Sequence, residues 1–109
     1  MKRAALAAIA TAFIACPLQS AAQQWPDRPV RILVPFPPGG GTDIQARVIS
    51  TAFQKSMGQN FIIENRTGAN GLIATQLAVD APPDGNTILF TSGSISVVAT
   101  LNAKQMKFN

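Results

Sequence analysis

The chain has 109 residues, with nine lysines and arginines against five acidic residues, a single cysteine and no histidine. A stretch without histidine, whose one cysteine sits in an amino-terminal leader, cannot build the usual zinc sites or histidine-based acid–base and nucleophilic catalysis, and it forms no internal disulfide. Its basic residues are scattered instead of clustered, which excludes a nucleic-acid footprint.

Lys2 and Arg3 open a leader whose residues 4–15 are uncharged and mostly apolar, and Ser20, Ala21 and Ala22 form a small-residue cleavage pattern. Residues 1–22 are therefore expected to be a signal peptide removed after Ala22. The apolar core is shorter than the roughly 20 residues of a spanning helix, and Pro17 interrupts it. Cys16, after Phe13, Ile14 and Ala15, weakly resembles a lipobox, so a lipid-anchored cysteine is the alternative to a discarded one. Phenylalanine is a poor first residue for that motif. Loss of the leader leaves 87 residues with a net charge of +2, enough for a modest core.

Trp25 is expected to anchor the incoming chain against the domain edge. Residues 30–36 form an apolar, β-branched-rich run that predicts a strand. Two prolines and three glycines then make a loop. Thr42 or Asp43 is expected to cap a helix over residues 43–57, with Gly58 just past its end and Ile44, Val48, Ile49, Ala52, Phe53 and Met57 at helical spacing. Phe61, Ile62 and Ile63 predict a second short, buried strand, followed by Glu64, Asn65 and Arg66 and a glycine-bearing loop over residues 67–71. Ile73, Leu77 and Ala78 mark one face of a second helix. Pro82, Pro83, Asp84 and Gly85 form a turn in which the glycine accepts a positive φ. Residues 87–90 predict a third strand, residues 91–94 a loop, and residues 95–101 a short helix.

Strands alternating with helices define an α/β fold, a parallel sheet with flanking helices and right-handed crossovers. Three strands make part of such a sheet, so Ile62, Ile88 and Phe90 are expected to be incompletely covered. In open α/β sheets ligands bind outside the carboxyl ends of the strands, where this chain places its loops at residues 37–42, 65–71 and 91–94. The candidate ligand-binding residues are Pro38, Gly39, Gly40, Gly41, Thr42 and Asp43 on the first loop and Thr91, Ser92, Gly93 and Ser94 on the third. Consecutive glycines let the backbone approach a ligand, and the helix start presents unpaired N–H groups and a positive dipole end. With no lysine or arginine between Phe36 and Gln45, an anion there is held by backbone amides and the Thr42 hydroxyl, which favours a small carboxylate over a polyphosphate. Asp43 has two readings, as a helix cap or dipole partner and as an orienting group for a ligand amine.

Other chemistries fit less well. Gly39, Gly40 and Gly41 begin like a dinucleotide fingerprint, with Glu64 ending the second strand as a ribose-binding acid would, but Ile44 stands where the third glycine or alanine belongs. The Gly-Lys-Ser/Thr ending of a nucleotide-hydrolase loop is missing. Ser92, Gly93 and Ser94 lack the flanking glycines of a nucleophile elbow. No metal, cofactor or catalytic residue is expected; an α/β enzyme using the glycine turn as an anion or nucleotide site is the alternative class, and an inactive remnant a third possibility.

Three ordered segments, WPDRPVRILVPFPPGGGTDIQAR, MGQNFIIENRTGANGLIA and APPDGNTILFTSGS, resemble the Bug family of bacterial periplasmic solute-binding proteins, the receptors of tripartite tricarboxylate transporters. The resemblance implies a two-domain Venus-flytrap fold about three times this length, of which residues 23–109 are part of the first lobe. It implies a periplasmic protein, monomeric at full length, that holds a small organic acid (a di- or tricarboxylate or an amino acid) between its lobes and delivers it to the transporter's membrane components. Carried onto this chain, the first-strand loop from Pro37 to Asp43 would hold a ligand carboxylate, and the loop from Thr91 to Ser94 would add polar contacts. Asn86 departs from the tyrosine usual after the Pro-Asp-Gly turn, a change expected to affect packing more than binding.

Overall fold

The computed structural model describes residues 24–101; the expected signal peptide, its cleavage site and Cys16 lie outside them. Strands β1 (Val30–Val34), β2 (Phe61–Asn65) and β3 (Thr87–Leu89) alternate with helices α1 (Gly41–Met57), α2 (Leu72–Val79) and α3 (Ser94–Leu101). A short 3-10 turn, Ala69–Gly71, precedes α2. The sheet has the order β2-β1-β3 with both pairings parallel, so the expected α/β architecture is present.

Strand β1 is central because it is the most continuously apolar: Val30, Leu33 and Val34 are fully buried and Ile32 nearly so. It stops at Val34, short of Phe36, because Pro35 has no N–H to continue a ladder. Its register sets Val30 beside Phe61, Ile32 beside Ile63 and Ile88, and Val34 beside Asn65. Side chains alternate across a strand, so these residues share one face and build the main core with Ala46 of α1. Phe36, Ile63, Ile88 and Phe90 pack around that core half-buried, and Ile62, on the opposite face, is 47% exposed. Strand β2 is thus covered on one face only, not buried throughout.

Helices α1 and α2 each bury a different face from the one their apolar spacing marks. In α1 the buried residues are Asp43, Ala46 and Ser50, while Ile44 and Val48 are 56% and 66% exposed. Small residues at 46 and 50 let the helix lie close to the sheet, and Phe53 further along meets the Phe61 ring with centroids 5.3 Å apart. In α2 Ala74 and Thr75 are buried, whereas Ile73 and Leu77 are largely exposed. The helix start also differs. Gly40 is the N-cap of α1, in extended conformation and without a side-chain cap bond, so neither Thr42 nor Asp43 occupies the capping position. At the other end Gly58 closes the helix in the left-handed conformation, its N–H on the Gln54 carbonyl.

Trp25 is 45% exposed and lies over the turn before β3, where a Cβ added at Gly85 would meet the indole at 2.9 Å. Gly85 has the positive φ that the Pro-Asp-Gly turn requires.

Gly71, the junction between the 3-10 turn and α2, has φ of 92°, and a Cβ there would come within 3.2 Å of Pro35 and 3.5 Å of Ile95. Gly71→Ala should therefore combine left-handed strain with overpacking between Pro35, just past β1, and Ile95 of α3, at a cost of roughly 2 kcal/mol. Urea titration against the parent chain measures this; an unchanged midpoint would contradict the packing described.

Candidate ligand-binding site

Parallel strands all point their carboxyl ends the same way, and the three loops beyond β1, β2 and β3 meet there. In the order β2-β1-β3 the chain leaves β1 toward α1 and β2, then returns through α2 to the far side of β1. That reversal opens a crevice at the carboxyl end of β1. A cleft of about 440 Å³ lies at this edge, lined by Pro35, Phe36 and Pro37, the segment from Thr67 to Gly71, Ser94 and Val98. Its volume is within the range that accommodates a small metabolite.

The glycine turn beside it is organised by one carboxylate. Asp43 is 1% exposed, and both its oxygens are engaged: Oδ2 accepts the Gly39 N–H at 2.9 Å and Arg47 Nε at 2.8 Å, and Oδ1 accepts Asn65 Nδ2 at 2.9 Å. Asn65 Nδ2 also donates to the Phe36 carbonyl at 3.0 Å. The Arg47 guanidinium, with the Gly39 and Asn65 N–H groups, holds the Asp43 carboxyl well below the usual carboxylate range. Gly39 has φ of 82°, which turns its N–H back toward Asp43.

This geometry sorts the amides of the turn. The N–H of Gly39 serves Asp43, and that of Gly40 faces the Pro37 carbonyl at 3.3 Å. The first helical amide with a partner in its own helix turn is Ile44, bonded to Gly40 O, which leaves Gly41, Thr42 and Asp43 as the unsatisfied donors at the positive end of α1. Gly41 is exposed and Thr42 partly so.

On the third loop, Ser92 and Ser94 share a hydroxyl hydrogen bond of 2.7 Å, and the carbonyls of Ser92 and Gly93 accept the first amides of α3. The Thr91 hydroxyl is enclosed and has no hydrogen-bond partner. Of the candidate residues, Ser94 lines the cleft; Pro38 to Asp43 form the turn beside it, and Thr91 to Gly93 the segment leading to Ser94. The cleft wall also contains Asn70 and Gly71, and Ala69 and Asn70 both hold positive φ. Strained non-glycine residues of this kind concentrate at functional sites. Sequence reasoning attached no role to Asn65 or Arg47. The signal for Asn65 is its parity: it follows Phe61 and Ile63 on the face of β2 that packs on α1, where an amide needs partners.

Three carboxylates among the described residues sit below their ordinary values. Glu64 is held at about 2 by Arg31, which binds it through two bonds of 2.7 and 2.9 Å, and by Arg66. Asp84 is lowered by the Asn86 backbone N–H and by Arg28, and Asp43 by the contacts given above. A depressed folded pKa stabilises the fold above the unfolded value and loses that contribution as pH falls through the folded one. Thermal stability should therefore stay level down to about pH 5 and decline from about pH 4.5 toward pH 2. Scanning calorimetry across that range checks it, and Asp43→Asn should flatten the acid limb.

The family model described as the tripartite tricarboxylate transporter family receptor matches residues 45–109. The chain belongs to this family of transport receptors. It is 44% identical over 94 residues to the protein BugT of Bordetella pertussis, covering 86% of this chain and 28% of that one. A TctC solute-binding protein from Polaromonas superposes with a TM-score of 0.68 at 30% identity, over 78% of this chain and 29% of the other. An R. palustris protein solved with adipate matches at 43% identity with a TM-score of 0.59, over 60% of this chain and 22% of that one. MatC from Rhodopseudomonas palustris, with bound malate, matches over the same shares at 43% identity and a TM-score of 0.57. The chain thus spans about a quarter of the length of the curated relatives it matches.

Proposed function

We propose that this chain is part of the first lobe of an exported solute receptor that captures a small organic acid and presents it to the membrane components of a tripartite tricarboxylate transporter. The observation that carries the reading is the glycine turn, whose Gly41 and Thr42 amides are open at a helix start beside a metabolite-sized cleft. One ligand carboxylate is received there, with the Thr42 hydroxyl and the segment from Thr91 to Ser94 adding polar contacts. Pro38, Gly39 and Gly40 shape the turn. Asp43 orders the turn from within: the residue is buried and its carboxylate is engaged by Gly39, Arg47 and Asn65. The relatives solved with adipate and malate support an aliphatic dicarboxylate as the first ligand class to try.

A receptor of this kind works as a monomer in the periplasm, after removal of residues 1–22. It is not an enzyme: it needs affinity and release, and no bond of the ligand changes. Calorimetry with adipate, malate and the uncharged adipamide tests the reading. Heats of binding with an acid and none with the diamide are expected; tight binding of the diamide would overturn a site built for an anion.

A further inference from the structure

We propose that Asn65 is a positioning residue, whose single side-chain amide holds the glycine turn in its ligand-receiving form and sets its distance from the facing rim of the cleft. This rests on the reading above that the turn receives a carboxylate.

The register of the sheet leads to this residue. Asn65 pairs with Val34, the last residue of β1, and its side chain points to the face covered by α1. Its two Nδ2 protons diverge. One goes to the Phe36 carbonyl, where the chain leaves β1, and the other to Asp43 Oδ1, where it has entered α1. One planar group therefore ties both ends of the loop at residues 37–42 to the end of β2. The other oxygen of Asp43 takes the Gly39 N–H, so the lock passes from Asn65 through Asp43 to the glycines. With the Gly39 amide directed inward in this way, the open donors are those that follow, from Gly41 onward.

The same residue reaches the opposite rim along the backbone. The Arg66 N–H bonds to the Val34 carbonyl at 2.8 Å, and Thr67 to Gly71 follow as the cleft wall. Asn65 thus sits at the hinge between the glycine turn and that wall, joined to the first by its side chain and to the second by its chain. An amide suits the position because both acceptors it faces need a donor and one of them is already charged. A carboxylate would repel Asp43, and an alkyl group would leave a carbonyl and a carboxylate oxygen without their partner.

The protein and its Asn65→Ala and Asn65→Asp variants distinguish positioning from plain stability. For Asn65→Ala, affinity for adipate or malate should fall by about tenfold or more, and amide exchange at Gly39 should accelerate relative to Leu33 within β1. A structural role alone would lower the melting temperature while leaving the affinity and the Gly39-to-Leu33 exchange ratio unchanged, and that result overturns the proposal.

Asn65→Asp supplies a second decision should the alanine variant fail to fold. The charged groups around this position are Asp43 and, bridged to it, Arg47 from α1; β1 sets the uncharged Val34 beside it, and the flanking Glu64 is paired with Arg66 and with Arg31 of β1. In Asn65→Asp the new carboxylate, when ionised, would confront that of Asp43, whereas its protonated form regains a single donor. The affinity of this variant relative to the parent protein should rise by about fivefold or more between about pH 8 and about pH 5.5. A ratio independent of pH overturns the proposal. Failure of the parent protein to bind either acid would count against the carboxylate reading instead, while exchange at Gly39 would still decide whether Asn65 sets the turn.

Discussion

Gly41→Pro is expected to weaken carboxylate binding by about 10- to 100-fold without unfolding the protein. A hydrogen bond to a charged acceptor is worth roughly 1.5 to 3 kcal/mol, and each 1.4 kcal/mol is a factor of ten in affinity. Proline deletes one of the open donors at the helix start. The position tolerates it because Gly41 is the first residue of α1, where proline is favoured and its missing N–H has no partner in the helix. Gly40 before it is extended, with φ of −74° and ψ of 164°, the conformation a following proline imposes. A Cβ at Gly41 meets nothing within 4 Å. The neighbouring glycines are poorer probes, because the Gly39 and Gly40 amides face Asp43 and Pro37 and their loss would alter the turn itself. Calorimetry with adipate or malate, together with a thermal melt, checks both halves. Full affinity in a well-folded Gly41→Pro variant would show that the carboxylate is held elsewhere.

Asp43→Ala should produce the largest loss of stability among single substitutions in the turn, a fall in melting temperature of roughly 10 °C or more. The substitution empties a site where the Asp43 side chain is almost fully enclosed, leaving the Gly39 N–H and one Asn65 proton without their acceptor and the half-exposed Arg47 guanidinium without its ion pair. Asp43→Asn should fall between the two, since its carbonyl oxygen can still accept from one side while its amino group faces other donors. The order parent, asparagine, alanine is the expected result in scanning calorimetry at neutral pH. A melt for the alanine variant equal to that of the parent would mean that the lock around Asp43 contributes nothing to holding the turn.

These effects are only partly legible in the chain. The β-branched run at residues 30–36, whose first five residues form β1, and the glycine after Met57 are readable because they depend on neighbours a few residues away. So is the turn at Gly85. The alternation of strand and helix carries the parallel sheet with it, and the three loops at its carboxyl edge follow from that topology. The cap of α1 lies two or three residues before the expected one, because Asp43 reads as a capping residue in isolation; in the fold it reaches back from the first turn to the amide of Gly39.

By itself, then, the sequence determined the order of elements, the glycine turn at the end of the first strand and the lack of histidine and cysteine in residues 23–109. Tertiary structure decided which faces are buried and which polar groups meet. Ile44 and Val48 form an obvious apolar stripe, yet α1 turns Asp43, Ala46 and Ser50 to the sheet. Small side chains permit close approach, and the bond from Asn65 to Asp43, across 22 residues of sequence, fixes the helix in that rotation. No local pattern encodes such a pairing, because it exists only once β2 has aligned beside β1 and brought the end of one strand to the start of one helix.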